Sequence, residues 1–101
     1  MIENNYLTSQ FPLGKITKNI GTMFLNNQDN YSDLPAFAQK MDAQFQYWTW
    51  TKLVNDICKF SFYLKNKGLK KGDRIAVISR NYYDRLVVEM AIMASGFISV
   101  P

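Results

Sequence analysis

The sequence predicts an α/β fold: an N-terminal helix, a β-hairpin, a second helix, and a strand-helix-strand unit that begins a parallel sheet. Three observations carry that expectation. Two short aromatic runs, 36–39 and 45–49, have the composition of half-buried strands. Leu53, Val54, Ile57, Phe60 and Leu64 recur at the three-to-four spacing of an amphipathic helix. Lastly, a β-branched run at 74–79 is followed by an apolar helical stretch and a second β-rich run at 97–101. With 101 residues, 48% of them hydrophobic and 20% charged, the chain holds one small domain or a piece of a larger one. Its formal charge of +4 is too modest, and its apolar content too high, for a disordered chain. A domain this short buries only about two-thirds of its unfolded surface, so its stability margin is thin unless something else covers it.

Residues 1–30 are rich in Asn, Gln and Thr and read as a tail with one short helix. Ile16, Ile20, Met23 and Phe24 place that helix across 16–26, weakened by Gly21. Asp29-Asn30-Tyr31-Ser32-Asp33 then reads as a loop, and Leu34-Pro35 sets an extended entry, because a residue before proline is pushed out of the helical region. The runs 36–39 and 45–49 pair as a hairpin through 40–44. That turn holds Asp42 but no Asn-Gly or Asp-Gly pair, so its register is not legible. Thr49 caps the second helix, Ser61 interrupts its apolar face, and Asn66-Lys67-Gly68 ends it, with Leu69 folding back as a hydrophobic clasp. After the turn Lys70-Lys71-Gly72-Asp73, the run 74–79 has the pattern of a strand buried on both faces. Asn81 is the expected cap of a third helix over 83–94, apolar nearly all round and broken mainly by Arg85 and Glu89. Gly96 stops it, and 97–101 begins another strand. A βαβ unit makes the two strands parallel with a right-handed crossover. Two parallel strands are not a finished sheet, so the fold is expected to continue past residue 101.

The residue inventory narrows the chemistry. There is no histidine and one cysteine, Cys58, which excludes an internal disulfide, a histidine base and a cysteine zinc cluster. The lone cysteine suits a reducing cytosol, the start Met1-Ile2-Glu3-Asn4-Asn5 lacks a secretory signal, and no apolar stretch approaches the roughly 18 residues of a membrane span. A cytoplasmic protein is expected, with peripheral membrane contact left open. Lys65, Lys67, Lys70, Lys71 and Arg74 form a basic cluster with Tyr47, Trp48 and Trp50 nearby in sequence, which raises nucleic-acid binding. The plainer reading is a solvated cationic helix end and a packed hairpin, and it is preferred. Arg80, Asn81 and Tyr82 follow the carboxyl end of a strand, where open α/β sheets bind ligands, yet capping and packing account for Asn81 and Tyr82. Cys58 reads as a small buried hydrophobe, and Asp73 and Glu89 have no visible partner acid.

The order of short blocks also matters. Pro35-Ala36 is followed by Trp48-Thr49-Trp50-Thr51-Lys52-Leu53, then Leu64, then Gly68-Leu69-Lys70-Lys71-Gly72-Asp73-Arg74-Ile75-Ala76-Val77-Ile78, then Asn81, Ala91, Gly96, Val100 and Pro101. This order, over most of 33–101, resembles the N-terminal start of the adenylate-forming (AMP-binding) enzymes: acyl-CoA synthetases, peptide-synthetase adenylation domains and luciferases. Ile78-Ser79-Arg80-Asn81 looks most like the long-chain fatty-acid-CoA ligases. One departure stands out: where the family usually has Glu, completing a capping box with Thr49, this chain has Lys52, a cation at a positive helix end that costs about 0.3–1 kcal/mol.

The resemblance implies a carboxylate attacking the α-phosphate of ATP, followed by transfer of the acyl group from AMP to CoA. ATP, Mg2+, CoA and a fatty acid are then the implied cofactors and substrates of a full-length enzyme, and the rest of the same chain is the partner of 31–101. The family's phosphate loop, adenine and magnesium segment, ribose-binding Asp and C-terminal lysine have no counterpart in these residues. Glycines 14, 21, 68, 72 and 96 never cluster as a phosphate cradle. No catalytic, cofactor-binding or metal-binding residue is therefore assigned, and the 101 residues alone are expected to be inactive and to self-associate through open strand edges. A standalone basic and aromatic module binding RNA or an acidic partner is the rival from another class; another acid-activating enzyme is the rival within the family.

Overall fold

Thr49 organises the start of the longest helix, α2 (Trp50–Lys65). Its Oγ1 accepts the Lys52 N–H at 3.2 Å, while the Trp50 and Thr51 N–H groups donate to the carbonyls of Leu34 and Ser32, both at 3.1 Å. The first three orphan donors of the helix are thus satisfied without water. The computed structural model describes residues 2, 3 and 6–101, with side chains from Tyr6 onward. A two-residue pair, β1 (Ile2–Glu3) with β2 (Tyr6–Leu7), is antiparallel and lies in the segment read from sequence as a tail.

The first helix, α1 (Ile20–Tyr31), begins four residues later than expected and consumes part of the 29–33 loop. The reason is local capping. Asn19 is extended, and its Oδ1 accepts the Thr22 N–H at 2.8 Å, whereas Ile16 has no core to face and is 85% exposed. Gly21 lies against Ala94 of α3, where a Cβ would make an ordinary contact with Ala94 Cβ at 3.5 Å.

The hairpin is longer than expected: β3 (Pro35–Met41) pairs antiparallel with β4 (Gln44–Thr49), from Met41 opposite Gln44 back to Pro35 opposite Thr49, with a bulge between Pro35 and Phe37. The register is set by a two-residue turn in which Asp42 and Ala43 both take positive φ, 48° and 66°. Such turns match strand twist but favour Asn and Gly, so a sequence holding Ala there hid the turn.

Helix α2 ends as expected at Gly68 (φ 78°), and Leu69 packs back onto the core. Next come β5 (Arg74–Ala76), α3 (Tyr83–Ala94), closed by Gly96 at φ 85°, and β6 (Ile98–Val100); β5 and β6 are parallel, Arg74 opposite Ile98. Two expectations are corrected here. The 74–79 run is not a strand buried on both faces. It pairs only to Val77, whose N–H donates to Val100, and while Val77 is buried, Ile78 is 99% exposed. One face of the two-stranded sheet rests on Leu64, Ile92 and Phe97, and nothing among the described residues covers the other. Nor does Asn81 cap α3. Tyr82 is the cap residue and makes no side-chain bond, and the Tyr83 N–H donates instead to Gln39 Oε1 of the hairpin at 3.0 Å.

The core is in two parts. Leu53, Ile57, Tyr83, Val87 and Ala91 join α2 to α3 beneath the hairpin, with Phe24, Phe37 and Trp48 packed against them. Leu64, Val77, Ile92 and Phe97 join the other ends of the same helices to the parallel strands. Helix α3 is the apolar helix expected, with Ala91 and Ile92 fully buried, but Asp84, Met93 and Ala94 reach solvent.

Candidate functional site

Gln39 and Trp48 lie on the hairpin face turned toward α3. They form one wall of a cleft of about 640 Å3, whose other side is built from Lys52 and Asp56 in the first two turns of α2 and from Tyr82 and Asp84 at the start of α3. Trp48 stacks on Tyr83 with ring centroids 4.3 Å apart and planes 5° from parallel, and Phe37 tilts against both rings. Stacking fixes the Tyr83 ring so that its hydroxyl donates to Asp56 Oδ2 at 2.8 Å, and Lys52 Nζ donates to Asp56 Oδ1, also at 2.8 Å.

Burial alone would raise the Asp56 pKa, but the hydrogen bonds from Lys52 and Tyr83, with the charges of Lys52 and Lys59, overcome it and hold the carboxyl below its ordinary value. Burial, then the bond to Asp56 and its charge, push the Tyr83 phenol well above the usual tyrosine range. Near neutral pH the site therefore contains an ionised Asp56 with each oxygen occupied by a donor, and a phenol that keeps its proton. Such a constellation is poorly suited to proton transfer. It serves as a lock holding the hairpin, α2 and α3 together. The i,i+4 spacing of Lys52 and Asp56 was a readable signal for half of it; the Tyr83 contribution depends on packing across the molecule.

The structure separates the other candidates. Trp50 meets Phe24 edge-on at 5.6 Å at the start of α2, whereas Lys65 and Lys67 stand at its far end, about 22 Å away by helix rise. Trp48 and Trp50 are spent on the core, so the basic cluster and the tryptophans do not form one nucleic-acid surface, and the plainer sequence reading fits. Lys67 lies over the Tyr63 ring at 4.8 Å. Asp73 Oδ2 accepts the Lys70 N–H at 2.7 Å within its turn, and Glu89 pairs with Arg85 at 3.2 Å. Arg80, Asn81 and Tyr82 are exposed on the β5–α3 connection, where Arg80 reaches the Tyr82 hydroxyl at 3.4 Å. Cys58 is exposed, a correction to its reading as buried, because its position on α2 faces the gap beside α1.

The fit of nucleotide and metal can be tested on the same residues. The positive-φ glycines, 68, 72 and 96, stand singly at helix ends and a turn, so they do not line up successive N–H groups around a phosphate. Among the described residues, no three His, Cys, Asp or Glu side chains are placed to hold a metal ion. Neither a phosphate cradle of clustered glycines nor a three-ligand metal cluster occurs among the described residues, and no step of a reaction is assigned to them.

Comparison with known proteins supplies what the cleft does not. The profile of the AMP-binding enzymes matches residues 24–101, well over half of the sequence. The chain belongs to the AMP-binding enzyme family. Its fold is also that of a solved structure, IdnL1, superposing with a TM-score of 0.70 at 20% sequence identity over 91% of this chain. The match spans only 18% of the IdnL1 chain. A search of curated proteins found no match. The α/β architecture of helices, antiparallel hairpin and parallel strand pair is thus the fold shared with IdnL1, and in this chain the Asp56 lock holds the hairpin, α2 and α3 together.

Proposed function

We propose that this chain is the N-terminal structural part of an ATP-dependent acid-thiol ligase of the long-chain fatty-acid-CoA type. The parent enzyme would join a carboxylate to the α-phosphate of ATP with release of pyrophosphate, then pass the acyl group to the CoA thiol with release of AMP. The observation that carries this reading is the family match over residues 24–101. The wording Ile78-Ser79-Arg80-Asn81 motivates the long-chain assignment within it. In this reading 1–30 is a tail with a helix, 31–101 begins the large domain, and the reacting groups for ATP, Mg2+ and CoA are supplied by other parts of the enzyme, in the cytoplasm. The contribution of these residues is mechanical: the lock fixes the hairpin on α2 and α3, and the parallel pair offers edges for further strands.

The test is pyrophosphate exchange into ATP by the complete protein, with fatty acids, aryl acids and amino acids compared side by side. Exchange that depends on long-chain acids and yields a CoA thioester is the expected result. Exchange driven by an amino or aryl acid would keep the acid-activating chemistry and reject the long-chain assignment. No exchange with any acid would reject both.

A further inference from the structure

Helix α1 does not close flush on the α2–α3 pair: between them lies a groove of about 430 Å3 whose walls include Phe24, Leu25, Ile57, Phe62 and Met90. Apolar walls give water little to bond to, so an open groove of this kind favours contact with other apolar side chains. Asn19 and Ile20 belong to the same lining, and the chain just before them, 8–18, lies outside every helix and strand. Nothing else holds this segment by hydrogen bonds. Its hydrogen bonding among the described residues is one local contact, from the Phe11 N–H to Ser9 Oγ at 3.1 Å. Phe11, Leu13 and Ile16 along it are 72%, 93% and 85% exposed. Bare apolar side chains and an apolar groove thus meet at one point of the chain, the peptide bond between Lys18 and Asn19.

Chain length lets the two join. The α2 wall of the groove, Val54 to Lys65, is about 16 Å long by helix rise. The six residues from Leu13 to Lys18 reach up to about 20 Å from Asn19 when extended. Because Asn19 itself lines the groove, folding back costs only the closure of a short loop, and the tether gives the segment an effective concentration that a separate partner would have to match. Pro12 and Gly14 disfavour a helix in the segment and suit an extended strip. We propose that 11–18 is a strap that folds back into the groove, burying Leu13 and Ile16 against α1 and α2 and covering Cys58, which lines the groove and is exposed while the strap stands open. Access to the one thiol of these 101 residues is then set by the position of the N-terminal segment. The strap uses none of the acid-activating chemistry proposed above, so the two readings stand or fall separately.

The experiment follows Cys58 in the complete protein by N-ethylmaleimide alkylation, read peptide by peptide in a mass spectrometer. A strap that is mostly closed slows alkylation in proportion to the fraction open. Leu13→Ser with Ile16→Ser should therefore speed it at least about tenfold, the effect expected when the open state is populated at a tenth or less. Phe62→Ser, on the facing wall, should speed it as well. Changes that break one shared contact do not add, so the three substitutions together should be no faster than the faster of the two variants. Tryptic cleavage after Lys15 and Lys18 should rise in step with alkylation in each variant. All three side chains are exposed with the strap open, at 93%, 85% and 68%, so cooperative unfolding should persist throughout. Alkylation as fast in the unsubstituted protein as in the Leu13→Ser, Ile16→Ser variant would overturn the strap. So would effects of the two sites that multiply, or cleavage after Lys15 that Phe62→Ser leaves unchanged.

Discussion

Asp56 receives a donor on each oxygen, and that decides how the molecule responds to pH. Its pKa is held below the ordinary value, so the fold prefers the charged carboxylate. The stabilisation is complete above the unfolded carboxylate pKa of about 4 and is lost as pH falls through the lower folded value. Tyr83 works in the opposite direction. Its pKa is raised, so its contribution is complete below about pH 10 and is lost as pH rises through the folded value. Tyr83→Phe keeps the ring stacked on Trp48 but removes the donor, with an expected cost of about 1.5–3 kcal/mol for a hydrogen bond to a charged group. In urea titrations from pH 2 to 11, that variant should lose the alkaline decline and show a shallower acid decline; a pH profile parallel to the unsubstituted protein would remove Asp56–Tyr83 from the account. The same network resolves the oddity of Lys52. Read from sequence it is a cation misplaced at a positive helix end, yet its ammonium is matched by Asp56 one turn on. The cost was legible and the compensation was only half so, because Lys52 and Asp56 share a helix face whereas Tyr83 is 27 residues away from Asp56.

Among the elements, boundaries set by a local chemical signal were legible. Thr49 and Gly68 bracket α2, and Gly96 ends α3, because a capping oxygen or a positive φ acts within a turn of the chain. Thr49→Ala should cost about 1 kcal/mol in the urea midpoint, and Gly96→Ala about 1–2 kcal/mol through backbone strain, since Lys71 Cγ at 3.5 Å leaves room for the methyl group itself. Boundaries that rest on distant partners were misread. The periodicity of Ile16 and Ile20 points to an earlier α1 start, but Asn19 supplies the cap and the core reaches only to Phe24. Asn81 looks like a cap, and Gln39 performs that task from 44 residues before Tyr83. The hairpin turn offers the sharpest check of this distinction. Ala43 sits at φ 66° without the freedom of glycine, so Ala43→Gly should stabilise the protein by about 0.5–1 kcal/mol. A lower urea midpoint for that variant would show that the turn does not hold the geometry described.

For the molecule as a whole, the α/β class and the parallel βαβ order were legible from the change in apolar period along the chain, and family membership from the order of short blocks between 33 and 101. The uncovered sheet face was not. A continuous β-branched run indicates a strand covered on both sides, yet Ile78, Ile98 and Val100 are 99%, 48% and 43% exposed. Coverage is a property of neighbours, which a strand's own sequence does not contain. Bare β surface and unpaired edges favour association, so the 101-residue chain should scatter light as a species that grows with concentration. Ile78→Lys should reduce that growth without lowering thermal stability. A monomer at every concentration would remove the exposed strands as an association surface.

The bond from the Tyr83 N–H to Gln39 also bears on the order of events at the ribosome. At about 5–20 residues per second, the residue that completes the first turn of α3 emerges roughly 2–9 seconds before the helix it serves. The hairpin residues are thus already out of the exit tunnel when α3 emerges, and the partner for its first N–H is at hand as the helix forms.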